Sequence, residues 1–269
     1  VYEGFLMPRI EFGDKNCLII KLDNGYNIGV RFKPGMKVQK LGVGKKPGSI
    51  PSASIVEKPE LPKVSFIATG GTIGTHVDYA TGGVFMCRKP EQIVATTPEL
   101  MEIINLRKVL NPFTLASEDL TPAEWIELAK LVGKELNDGM DGVIITHGTD
   151  TMHFTSAALS FMLRKLSKPV VLVGAQRSPD RGSFDGAMNL ICAAHMVASN
   201  VAEVMVVMHA SSSDDCCLAI RGTKVRKMHS SRRDAFRPIN ELPIAKVYPN
   251  GKIEFLNKNF KKRHSGKVE

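Results

Sequence analysis

The chain has 269 residues, 43% of them hydrophobic, enough to bury a full core and to divide into more than one domain. No apolar run approaches the ~20 residues of a membrane span, and the first residues have neither a charged n-region nor an apolar h-region, so a cytoplasmic protein off the membrane is expected. Cys17, Cys87, Cys192, Cys216 and Cys217 lack CxxC spacing, which argues against a disulfide framework and a zinc site; the net charge of +9 favours an acidic partner, nucleic acid first.

Residues 1–48 are strand-like. Leu18, Ile20 and Leu22 alternate with other residues, Asp23-Asn24-Gly25 reads as a hairpin turn, and Tyr26, Ile28, Val30 and Phe32 resume the alternation. This is a small β module, followed over 49–62 by a Pro/Ser-rich linker holding Pro51, Pro59 and Pro62. From Lys63 strands and helices alternate. Val64 to Ala68 is a buried strand that runs into Gly70-Gly71-Thr72, so a hydroxyl stands just past a strand end. By itself this reads equally as a structural turn. The stretch 75–86, with His76, Asp78, Tyr79 and Gly82-Gly83, reads as a lid beside a site or as a plain surface loop.

Residues 90–106 read as helical with a break at Pro98, and Phe113-Thr114-Leu115 as a short strand leading to Ser117-Glu118-Asp119. Thr121-Pro122-Ala123-Glu124 is a capping box, and Trp125, Leu128, Ala129, Val132 and Leu136 mark the core face of the helix it opens. Val143 to Ile145 is a second strand, and Thr146-His147-Gly148-Thr149-Asp150-Thr151 repeats the grammar of the first: strand, glycine, hydroxyl, carboxylate, helix. A helix over 151–166, a strand over 170–175, a helix over 185–198 and a strand over 204–208 follow, giving α/β class with a doubly wound, mostly parallel sheet. The α/β domain is expected over 63–245, with an Asn250-Gly251 hairpin and the start of a linker over 246–269.

If the two glycine-bearing strand ends are neighbours, Thr72, Thr149 and Asp150 meet in one pocket. A threonine needs a base to act as a nucleophile, and Lys224 in Arg221-Gly222-Thr223-Lys224 is the amine chosen for that relay. His147 stays outside the catalytic set, since no GxSxG elbow accompanies it, and no P-loop lysine follows Gly70-Gly71-Thr72. The basic run 221–237 reads as a polyanion surface or as a solvated face.

Ala68-Thr69-Gly70-Gly71-Thr72-Ile73, Thr146-His147-Gly148-Thr149-Asp150-Thr151-Met152 and Val171-Leu172-Val173-Gly174-Ala175-Gln176-Arg177 together resemble the bacterial-type L-asparaginase family over 63–255, its amino-terminal lobe. With the β module in front and the basic run behind, the chain resembles the archaeal glutamyl-tRNA(Gln) amidotransferase D subunits within that family. The resemblance implies Thr72 as nucleophile on the side-chain amide of glutamine or asparagine. Thr149, Asp150 and Lys224 would form the relay, with Tyr79 assisting from the lid. Gly71, Ser117, Glu118, Gly148 and Asp150 would hold the substrate. It implies no cofactor on this chain, a partner E subunit that uses ATP and magnesium on glutamyl-tRNA(Gln), and a homodimer within a heterotetramer. The family's carboxy-terminal lobe is missing from the 269 residues, so weak or no activity is expected of this stretch alone. A free-standing asparaginase and a non-catalytic tRNA-binding subunit are the alternative readings.

Overall fold

The computed structural model describes residues 1–6, 16–22, 27–42, 57–78, 83–86, 91–179 and 182–269. The chain divides into two compact units, one formed by Val1–Ile50 with His76–Phe85, the other by Pro51–Thr75 with Met86–Glu269. In the first unit, β1 (Phe5–Leu6), β2 (Cys17–Lys21) and β3 (Asn27–Arg31) form an antiparallel sheet. Lys21 pairs with Asn27, so the strands meet as the alternation requires; the expected turn residues 23–25 lie outside the described residues.

The second unit is built on β4 (Lys63–Ala68), whose apolar residues are all buried. After it the chain passes through a two-stranded ribbon of β5 (Thr75–Asp78) and β6 (Gly83–Met86), most of which is counted with the first unit, and resumes the second unit with a short helix α1 (Glu91–Ala95). A 3-10 turn over Pro98–Glu102 leads to β7 (Asn105–Leu110). This corrects the sequence reading on two counts: the helix expected over 90–106 is confined to Glu91–Ala95 and the 3-10 turn, with 105–106 already opening a strand, and Phe113-Thr114-Leu115 is irregular. The reason is tertiary, since β7 exists as an edge strand paired in parallel with β4.

Helix α2 (Pro122–Asn137) starts at the expected capping box: Thr121 Oγ1 accepts the Ala123 N–H, and Glu124 accepts the Thr121 N–H at 2.7 Å. Leu128, Val132 and Leu136 are buried from it, and the half-buried Trp125 donates to Thr155 Oγ1 at 2.9 Å. The chain continues through β8 (Gly142–Thr146), α3 (Met152–Met162), β9 (Val170–Val173), α4 (Gly186–Ala198) and β10 (Val204–His209). Then come β11 (Cys217–Arg221), a ribbon of β12 (Val225–Lys227) and β13 (Phe236–Pro238), and β14 (Ala245–Val247) with β15 (Ile253–Phe255).

The main sheet runs β15-β14-β11-β10-β9-β8-β4-β7. Its pairs from β7 to β10 are parallel, and those from β10 to β15 antiparallel. Two apolar layers cover its faces. Val64, Phe66, Ile144, Val171 and Val173 pack with α4 residues such as Leu190 and Val197, whereas Ile67, Val143, Ile145, Val170 and Leu172 pack with Leu128 of α2 and Leu159 of α3. Successive strand residues thus feed opposite layers, which is why β8 and β9 read as unbroken apolar runs. The segment after β4 carries Ile93, Val94 and Leu100 to the first face, and the segment after β8 carries Leu159 to the second. The crevice between the ends of β4 and β8 is therefore the switch point at which an open α/β sheet binds ligands.

Candidate active site at the β4 and β8 ends

The two glycine-bearing ends are pressed together. Gly71 has φ +84°, and a Cβ there would stand 2.5 Å from both N and Cα of Gly148. A Cβ on Gly148 would in turn meet Ser117 Cβ at 2.7 Å and Oγ at 2.8 Å. Gly70, with φ +116°, lies against the Leu115 carbonyl, and the Leu115 N–H donates to Thr69 O at 3.1 Å. Only glycines allow three backbone segments to come this close. The pairing of Ala68 with Thr146 continues through Thr69 N to Thr146 O at 3.1 Å, so Thr72 follows directly on a backbone pressed against His147-Gly148. Thr72 opens a 3-10 turn, Thr72–Gly74, closed by Thr75 Oγ1 on Thr72 O at 2.8 Å.

The amine at this site is Lys227. Its Nζ lies 2.8 Å from Thr149 Oγ1 and 2.8 Å from Asp150 Oδ1, with the lysine side chain only 7% exposed while Asp150 keeps 64%. The sequence reading points instead to Lys224. That residue occupies the turn before the ribbon, its N–H on Arg221 O and its carbonyl taking the Ile239 N–H, each at 2.8 Å. The three-residue difference follows from β12: pairing of Val225 with Pro238 and of Lys227 with Phe236 extends the chain past the turn, and Lys227 is the residue that reaches the mouth of α3. The expected spacing could not register a ribbon that exists only through its pairing with 236–238. Asp150, His153, Lys227, Met228, His229 and Ser230 line an open recess of about 300 Å³ here.

Ser117 is buried beside Gly148, and its carbonyl accepts from Thr151 Oγ1 at 2.6 Å while its Oγ accepts from Thr151 N at 3.3 Å. Glu118 is exposed next to it. Tyr79 lies outside the described residues. His147 is fully buried, its Nδ1 2.7 Å from Gly148 O, and burial lowers its pKa to about 4, so the ring is neutral near pH 7.

Part of the basic run is paired with carboxylates. Asp234, 3% exposed in its side chain, takes Arg232 Nε and Nη2 at 2.8 Å each and also Arg237, and these arginines hold its carboxyl below the usual range. Arg233 pairs with Asp214 at 2.7 Å, and Arg221 with Glu203 and Glu241. Among the described residues no group of His, Cys, Asp and Glu is arranged to hold a metal ion, and no helix is long and apolar enough to cross a membrane.

The asparaginase N-terminal family matches residues 63–261, and the family described as GatD N-terminal domain matches residues 1–41. The glutamyl-tRNA(Gln) amidotransferase D subunit of Pyrococcus furiosus is 53% identical over 99% of this chain and 61% of its own length; that of Methanothermobacter thermautotrophicus is 46% identical over the whole chain and 61% of its own. The chain thus spans about three-fifths of these relatives. Among solved structures, a probable cytoplasmic L-asparaginase from Campylobacter jejuni matches with TM-score 0.63 at 30% identity, over 74% of this chain and 58% of its own. The thermostable L-asparaginase from Thermococcus kodakarensis matches with TM-score 0.64 at 27% identity, over 77% and 59%. With glycine-crowded strand ends, an asparaginase-like α/β sheet and the family match over most of its length, the chain belongs to the asparaginase family, as its amino-terminal lobe behind a GatD-type amino-terminal domain.

Proposed function

We propose that this chain is the ammonia-supplying part of a glutamyl-tRNA(Gln) amidotransferase D subunit, in which Thr72 cleaves the side-chain amide of glutamine or asparagine. The observation that carries this reading is Lys227 Nζ at 2.8 Å from both Thr149 and Asp150, beside the Gly71 to Gly148 contact that holds Thr72. Thr72 Oγ1 attacks the amide carbon, and its proton passes through Thr149 to Lys227 in the amine form, Asp150 balancing the ammonium that results. The tetrahedral oxyanion collapses, the C–N bond breaks, and the departing nitrogen takes the proton back and leaves as ammonia. Water then releases the acid from Thr72 by the same relay. Backbone N–H groups at the strand ends are the oxyanion donors, and Ser117 with Glu118 and Asp150, both carboxylates exposed, would hold the substrate's α-amino and α-carboxylate groups. Ammonia passes to the E subunit, where ATP and magnesium activate the glutamyl group on tRNA; no cofactor is needed on this chain.

A free-standing L-asparaginase is the second reading, favoured by the likeness to asparaginase structures at 27 to 30% identity. Against it stands the match of residues 1–41 to an amidotransferase domain that such an enzyme does not need. A tRNA-binding subunit without catalysis is disfavoured by the pairing of Arg232, Arg233 and Arg237 with carboxylates. Ammonia release is measured on the full-length protein, alone and with the E subunit and glutamyl-tRNA(Gln), with Thr72→Ala as control. Release from glutamine that rises with partner and tRNA and vanishes in the variant supports the proposal; equal release from asparagine without any partner makes the protein an asparaginase.

A further inference from the structure

The wall behind Thr149 is the turn that follows β9, and that turn is held by a carboxylate the mechanism does not use. Gly174 lies so close to the β8 end that a Cβ on it would stand 2.8 Å from His147 O and 2.9 Å from Thr149 Cγ2. Two residues on, Gln176 Oε1 is 3.4 Å from Thr149 Oγ1, the oxygen that also receives Lys227. The Nε2 of the same amide is buried without a partner, so Thr149 is the contact that orients it.

Asp185 precedes α4 in the N-cap position, yet its side chain caps nothing in that helix. An aspartate there ordinarily accepts an N–H of its own first turn. This one is fully buried and turned the other way: it accepts the Gln176 N–H at 3.0 Å on each oxygen and the Arg177 N–H at 2.9 Å. Asn189 closes the arrangement, its Nδ2 donating to Gly174 O at 3.0 Å and to Asp185 Oδ2 at 3.3 Å, while its Oδ1 lies 2.6 Å from His209 Nδ1. A buried carboxylate diverted from its helix onto two consecutive amides fixes the direction in which that turn points its side chains.

We infer that Asp185 is a positioning residue: by clamping the 174–177 turn it keeps the Gln176 amide oxygen beside Thr149 Oγ1, so that this hydroxyl stays at 2.8 Å from Lys227 for the relay. The inference rests on the amidohydrolase reading proposed above, but the clamp has a readout that does not.

In the full-length protein, hydrogen exchange should show the Gln176 and Arg177 amides of Asp185→Asn losing protection while β8 and β9 keep theirs; unchanged protection at those two amides overturns the clamp whatever the reaction is. Thr72→Ala sets the background of ammonia release and tests the reaction separately. Above that background, Asp185→Asn and Gln176→Met should each lower kcat about tenfold with KM within about twofold, since misplacing a relay group costs rate rather than binding. Gln176→Glu, which keeps the acceptor oxygen, should stay within about threefold of the parent. A packing role predicts the reverse order, because Met suits a half-buried wall better than a carboxylate does. The double variant Asp185→Asn with Gln176→Met should fall no more than about twofold below the worse single, as expected of residues acting in series. Multiplying losses, or a Met variant at parental kcat, would overturn the proposal. If Asp185→Asn does not fold, the order of Met and Glu at position 176 decides.

Discussion

Lys227 and the arginines at 232, 233 and 237 belong to one basic stretch, yet the structure uses them in opposite ways. The arginines saturate Asp234 and Asp214, and Arg232 remains 57% exposed in its side chain. Lys227 is almost wholly buried against one carboxylate and one hydroxyl at the end of a parallel strand. Each cluster buries one charged member, Lys227 at 7% side-chain exposure and Asp234 at 3%, so what differs is the partner: Lys227 also meets the Thr149 hydroxyl. Charge count along the sequence treats the two alike; the partner separates them.

The largest effect that sharpens this contrast is Lys227→Met, expected to lower ammonia release by about a hundredfold or more, whereas Lys224→Met should change it less than about threefold. Steady-state assay of the two variants side by side measures it, and equal losses would erase the distinction between the two lysines. Next comes the backbone on which the site rests. Gly71→Ala meets both a positive φ and the Gly148 backbone, so a loss of about 3 kcal/mol in denaturant unfolding is expected, with activity gone.

The neutral neighbour gives a pH test. The native pKa of His147 is about 4 against 6.5 for the free side chain. Between those values the unfolded state binds the proton and the native state does not, so stability falls as pH drops from 6.5 to 4 and this contribution flattens below 4. The loss through this ring is about 3 kcal/mol, and His147→Gln should remove that part of the acid sensitivity in melts at pH 7 and pH 4.5.

On the arginine side, Asp234→Asn should cost about 2 kcal/mol through weakened charge-assisted hydrogen bonds. It should also release Arg232 and Arg237 and tighten salt-sensitive binding to heparin, leaving ammonia release per folded molecule unchanged. A fall in activity equal to that of Lys227→Met would mean that both clusters serve the reaction.

Much of this was legible in the chain. The apolar strands at 64–68, 143–145, 170–173 and 204–208 read as buried because helices cover both faces of the sheet. The capping box at Thr121 announced α2, and Gly70-Gly71 announced a close approach, since nothing else forces two adjacent positive φ values. What escaped was made by pairing. β7 is an edge strand with a mixed pattern whose first two residues the expected helix over 90–106 took in, β11 exists through its antiparallel contact with β10, and β12 and β13 are three residues each. Asp185 was invisible for the same reason: its position announces a helix cap, and only the turn at 174–177 explains where its carboxylate goes.

The sequence by itself therefore determined the class of sheet, the two glycine-bearing strand ends and the threonines they carry, because hydrophobic period and glycine conformation are local properties of the chain. The tertiary structure decided which lysine meets Thr149 and Asp150 and which carboxylate steadies the wall behind them. Those contacts join residues 77 and 9 positions apart through strand pairing and burial, and no local pattern encodes a distance of that kind.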